Sequence, residues 1–124
     1  MIRFLPPPCE GKREAREARE GLRRRMDEEH ARTGKPVRVL FDLTQCDLKA
    51  WHVEFTVRTL LKNEAYMRKV LDRSAALLPR GSKAAKGMAD LFLRMYVPVR
   101  PFRVEVEESK ATAFLESAMD AMSE

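Results

Sequence analysis

The sequence predicts a single small α/β domain, an about four-stranded, mainly parallel sheet flanked by four or five helices, and three observations carry that expectation. Apolar residues recur with helical spacing in some segments and alternate in others, and the two kinds of segment take turns along the chain. Residues 37–44, VRVLFDLT, alternate Val37, Val39, Phe41 and Leu43 with Arg38, Leu40, Asp42 and Thr44. Because Leu40 makes the second side partly apolar, this strand is expected to be covered on both faces. Proline and glycine then punctuate the segments: Pro6, Pro7 and Pro8, Gly34 with Pro36, Pro79 with Gly81, and Pro98 with Pro101.

Residues 1–5 read as a short strand, closed within 1–9 by the prolines. Residues 10–33 read as a charged helix with one thin apolar stripe of Ala15, Ala18, Leu22 and Met26, ended by Gly34 and Pro36. After the central strand, Asp47 is the expected N-cap of a helix that buries Trp51, Phe55, Val57, Leu60 and Leu61 and runs to Lys62, with Asn63 as its stop. A shorter helix is expected over residues 64–72 with Met67, Val70 and Leu71 inward, then a small-residue strand over 74–78 closed by Pro79. Ser82 is expected to cap a helix reaching Tyr96, with Ala85, Met88, Ala89, Phe92 and Met95 inward. Phe102, Val104 and Val106 alternate as a last strand, and from Ser109 or the acids before it a final helix carries Ala111, Phe114, Leu115, Ala118, Met119 and Met122.

Length and composition narrow the class. A chain of 124 residues, 44% hydrophobic and 35% charged, can bury roughly two-thirds of its unfolded surface around one core, so residues 1–124 are expected to form one domain. No window reaches the length of apolar residues a membrane span needs, and the start MIRFLPPP lacks a secretory apolar run, so a cytoplasmic location is expected. Cys9 and Cys46, like His30 and His52, stand alone, so no metal and no cofactor is expected. Net charge is +5 but uneven: residues 49–103 hold twelve Lys or Arg against four acids, while residues 104–124 hold six acids against Lys110. Such a centre suits an anionic ligand or an acidic partner. Nucleic acid is not an expected partner, because no aromatic residues interleave with the basic ones in sequence.

Three stretches resemble the STAS-type domains of the SpoIIAA-like (anti-sigma-factor antagonist) superfamily: RVLFDLTQCDL after an amphipathic helix, LDRSAALLP as a small third strand, and VPVRPFRVEVEESKATAFLESA as closing strand, acidic residues and terminal helix. The resemblance covers residues 35–122 and implies a non-catalytic regulatory or interaction module that binds a protein partner or small ligand. One branch of similar proteins is lipid-carrier-like, which makes a lipid-binding protein with an apolar groove the alternative. The phosphoacceptor serine of the family's switch has no counterpart: Ala50, Trp51, His52 and Val53 stand at that helix start, and Thr44 is the nearest hydroxyl.

Ligands of open α/β sheets sit beyond the carboxyl ends of the strands, which makes Thr44, Asp47, Arg80, Ser82, Lys83 and Lys86 the candidate ligand-binding residues. Residues 79–86 could capture an anion at a helix start, although GSK is not the GK[ST] of a nucleotide loop; a capped corner with solvated lysines is the plainer expectation. Met88, Phe92, Met95, Phe114 and Met119 are the candidates for an apolar groove on the last two helices. Trp51 is expected in the core and His52 toward solvent. No nucleophile stands beside a base in the sequence, so no catalytic residue is assigned.

Overall fold

In the computed structural model, which describes residues 1–6 and 11–117, strand and helix alternate as β1 (Ile2–Phe4), α1 (Lys12–Thr33), β2 (Val37–Asp42), α2 (Ala50–Lys62), α3 (Glu64–Val70), β3 (Leu71–Leu77), α4 (Lys83–Met95), β4 (Phe102–Glu105) and α5 (Glu108–Glu116). The four strands form one wholly parallel sheet in the order β1-β2-β3-β4. Ile2 lies opposite Val39, Leu40 opposite Ala75, and Ala75 opposite Arg103. The terminal-helix positions Ala118, Met119 and Met122 lie outside the described residues.

This strand order dictates where the helices go. Each crossover advances one strand in the same direction, and right-handed crossovers then place successive helices on one face. The core follows suit. Leu22 and Met26 of α1 and Met67 of α3 pack with Ile2, Val37 and Val39, while Val53 and Val57 of α2 pack with Tyr96, Met88 and Phe92 at α4. On the opposite face, among the described residues, α5 covers the centre: Ala111 and Leu115 lie against Leu40, Ala75 and Leu77. Fully buried Ala75 and Ala111 are small enough to let α5 lie close to the strand.

Crowding on the first face shapes the molecule. Neighbouring strands are about 4.8 Å apart, whereas packed helices need about 8–10 Å, so α1, α2 and α4 cannot all lie flat on four strands. α1 rests on β1 and β2, and α2 takes α4 as its main partner, so the two part above β2.

Several boundaries correct the sequence reading. β3 begins at Leu71, and Asp72 and Arg73 are strand residues, not the end of a helix. The expected helix over residues 64–72 and strand over 74–78 leave Arg73 between them, yet all of β3 is buried and both charges find partners inside. Asp72 is the extra residue of a bulge between Val37–Leu71 and Arg38–Arg73, which sets it between the two arginines. Arg38 Nε donates to Asp72 Oδ2 at 2.6 Å and Arg73 Nε lies 3.5 Å from the same oxygen, while their terminal nitrogens donate to the carbonyls of Leu115 and Phe114. The last carbonyls of α5 are thereby capped by two guanidiniums.

Asp47 does not cap α2. Lys49 holds that position, and its N–H donates to His52 Nδ1 at 2.9 Å, so His52 performs the task that Glu or Gln performs in a capping box. Met95 and Val106, expected inward, are 46% and 48% exposed because α4 ends at Met95 and β4 at Glu105. At Gly34 the backbone adopts φ 71°, the left-handed conformation that closes α1 by an N–H bond to His30 O at 2.8 Å.

Candidate functional site

Besides the buried Arg38–Asp72–Arg73 cluster, two places among the described residues gather charged side chains. The first lies at the carboxyl ends of the strands. Asp42, buried at the end of β2, accepts from the Thr44 hydroxyl at 2.6 Å, the Thr44 N–H at 3.1 Å and Arg3 Nη2 at 2.6 Å. Arg3 continues to Glu108 at the start of α5, at 3.0 and 3.1 Å, and neighbouring Glu107 holds Arg80 at 3.5 Å. Burial alone would raise the Asp42 carboxyl, but the bonds from Thr44 and Arg3 outweigh it and hold the group below its ordinary range. Hydrogen bonding to Arg3 likewise lowers the Glu108 carboxyl. This network ties β1, β2 and α5 together with its donors and acceptors already paired.

Thr44 thus belongs to the network, Arg80 forms a separate surface pair with Glu107 beside it, and the other strand-end candidates join neither. Ser82 accepts from the Ala85 N–H at 3.1 Å as the N-cap of α4, and Lys83 and Lys86 point to solvent from that helix. Asp47 is exposed in the loop before α2. The proposed groove on the last two helices is divided by the sheet. Met88 and Phe92 pack toward α2, with Phe92 also edge-on to Phe102 at 5.7 Å, whereas Phe114 lies on the other face beneath Arg73 and Arg103. Met95 is nearly half exposed, and Met119 falls outside the described residues.

The second place is where α1 and α2 part. A groove of about 860 Å³ runs there above β2, within the range of roughly 300–1,000 Å³ that accommodates a small ligand. Its floor is apolar: half-buried Phe41 from the strand, Leu22 from α1 and Leu60 from α2 face the groove, over Val39, Met26 and Met67, which are themselves buried. Its rim is cationic. Lys12, Arg16, Arg19 and Arg23 succeed one another at spacings of four, three and four, a single stripe along α1, and Arg58 and Lys62 answer from α2. With Glu20 and Glu54 as its acids, the rim carries six cations against two carboxylates, an excess of four.

The pairing of these cations is as telling as their number. Arg58 is taken by Glu54 at 2.7 Å. Arg19 Nη1 donates to the Thr59 hydroxyl at 3.1 Å and Arg23 Nη1 to Asn63 Oδ1 at 3.2 Å, so both bridge the groove to neutral acceptors on the facing wall. Their guanidiniums also lie 5.7 Å from the centre of the Phe55 ring and 4.0 Å from that of Tyr66. Burial and a 2.5 Å bond to Asp27 push the Tyr66 hydroxyl up to about 12, so it remains a donor at neutral pH. Trp51, expected in the core, is half-buried and lines the groove with its ring 4.0 Å from that of His52; His52 is likewise half-buried.

The sequence held a signal for this site. The 12-16-19-23 spacing is as regular as the apolar stripe beside it, but acids interspersed along the helix concealed it as a solvated face. The facing wall had no such signal, since Thr59 and Asn63 acquire meaning only across from Arg19 and Arg23.

Among the described residues, no three His, Cys, Asp or Glu side chains converge as a metal site, and no helix is long and apolar enough to cross a membrane. No protein-family model, no curated protein and no solved structure matches the chain.

Proposed function

We propose that this protein is a non-catalytic binding module whose ligand occupies the groove between α1 and α2. The observation that carries the reading is the combination of an apolar floor with a cationic rim whose bridging arginines rest on neutral acceptors. A floor of this kind removes apolar surface of a ligand from water, and a rim of unmatched cations selects what accompanies it. The strand-end network supports the same choice from the other side: Asp42, Thr44, Arg3 and Glu108 satisfy one another and leave little for a substrate to engage. A regulatory or carrier role, the direction of the STAS-type resemblance, requires no more than such a groove.

The test is titration of the neutral dye N-phenyl-1-naphthylamine, read by its own fluorescence and by quenching of Trp51. Wild type should bind saturably, Thr59→Trp should block the groove and abolish binding, and Lys83→Glu at the strand-end corner should change nothing. Dye binding that ignores Thr59→Trp, or is absent from the folded wild type, refutes the groove as the site.

A further inference from the structure

We infer that the natural occupant of this groove is a single-chain fatty carboxylate, its alkyl tail on the floor and its head held by Arg19 and Arg23; the inference rests on the groove being the binding site. Shape gives the first argument. Arg19 and Arg23 reach across to Thr59 and Asn63 at 3.1 and 3.2 Å, so the groove is spanned from wall to wall over its apolar floor. A helix about 10–12 Å in diameter cannot enter a groove crossed by those bridges, whereas an unbranched alkyl chain is slender enough to lie along the half-buried apolar residues beside them.

Charge gives the second. Each bridging guanidinium uses a neutral acceptor, which a carboxylate replaces with a charge-assisted and bidentate bond. Lys12 and Arg16 extend the positive stripe toward the carboxyl edge of the sheet without an ion pair among the described residues. The third argument discriminates against nucleic acid. A stacking platform needs open aromatic faces, but Arg19 and Arg23 lie over Phe55 and Tyr66, and Trp51 is packed against His52.

The experiment titrates the purified, delipidated full chain with octanoate, decanoate and dodecanoate below their micelle concentrations, following Trp51 emission. Dodecanol, dodecyl phosphate, an acidic amphipathic peptide and a single-stranded oligonucleotide serve as competitors. Affinity should rise about fourfold per added methylene, as full burial of the tail implies. Dodecanoate should exceed dodecanol by about tenfold or more, the worth of a charged hydrogen bond. Arg19→Ala with Arg23→Ala should remove that preference while dodecanol and the neutral dye still bind, which also shows that the double variant is folded. Equal affinity for alcohol and carboxylate, independence of tail length, or preference for the alkyl phosphate, the peptide or the oligonucleotide overturns the inference. Each of those results leaves the groove standing as a site if the neutral dye binds and Thr59→Trp blocks it. Failure of the dye and the carboxylates alike removes both proposals.

Discussion

Asp72→Ala deletes the carboxylate that separates Arg38 from Arg73 and leaves a guanidinium with no exposed surface in the interior. Asp72 is 4% exposed and Arg73 0% exposed, with Arg38 at 2.6 Å and Arg73 at 3.5 Å from the shared oxygen. Removing one partner of a buried pair costs about 3–5 kcal/mol, because the remaining charge keeps its desolvation penalty and loses its compensation. Against the roughly 5–15 kcal/mol that holds a domain together, that is about a fifth of the total or more, and the melting temperature should fall by roughly 10–20 °C. Arg73→Met supplies the comparison. It leaves Asp72 paired with Arg38 and removes the charged bond to the Phe114 carbonyl, which still accepts from the Ser117 hydroxyl at 2.8 Å, a loss of about 1–3 kcal/mol. Urea unfolding followed by circular dichroism and Trp51 emission measures both, and the slope against urea should be unchanged if only the native state is affected. Should Asp72→Ala cost under about 1 kcal/mol, or less than Arg73→Met, the bulge residue is not the compensating charge.

Two further outcomes follow from local chemistry. Asp42 has a folded pKa below its unfolded one, so its contribution is fully present above the ordinary aspartate value of about 4 and is lost as pH falls through the folded value; acid unfolding of wild type should therefore depend more steeply on pH below about 5 than that of Asp42→Asn, and parallel curves would exclude the effect. Glycine substitutions should part in sign: Gly34→Ala, at φ 71° with open space around it, should destabilise by about 1 kcal/mol through backbone strain alone, whereas Gly87→Ala, within α4 and equally uncrowded, should stabilise by about 0.5–1 kcal/mol, both read from urea midpoints.

Element order was legible because it depends on neighbours within a few residues. The helical stripe of Ala15, Ala18, Leu22 and Met26, the Ser82 cap and the Gly34 stop are local patterns that lie where expected, and the two-sided strand expected over residues 37–44 forms over Val37–Asp42. The misread ends share a different cause. Asp72 and Arg73 fall outside the expected strand because a sequence does not show that Arg38 and two α5 carbonyls hold buried charges there. Asp47 looked like a cap because the alternative acceptor, a histidine ring at the third helical position, is a less familiar solution to the same unpaired N–H.

The candidate site divides along the same line. Its cations, its aromatic residues and the apolar floor are all present as residue types in the chain, but the positive excess legible in the sequence lay over residues 49–103, which hold only Arg58 and Lys62 of the rim. Whether those residues face one another depends on the one-directional strand order, which crowds the helices onto one face and parts α1 from α2 over β2. Amino-acid spacing thus determined periodicity, capping and charge, quantities set by contacts along a single element. Tertiary structure alone decided which stripes oppose each other, because the placement of two helix walls follows from strand order, strand pitch and helix diameter, which no pattern within either helix encodes.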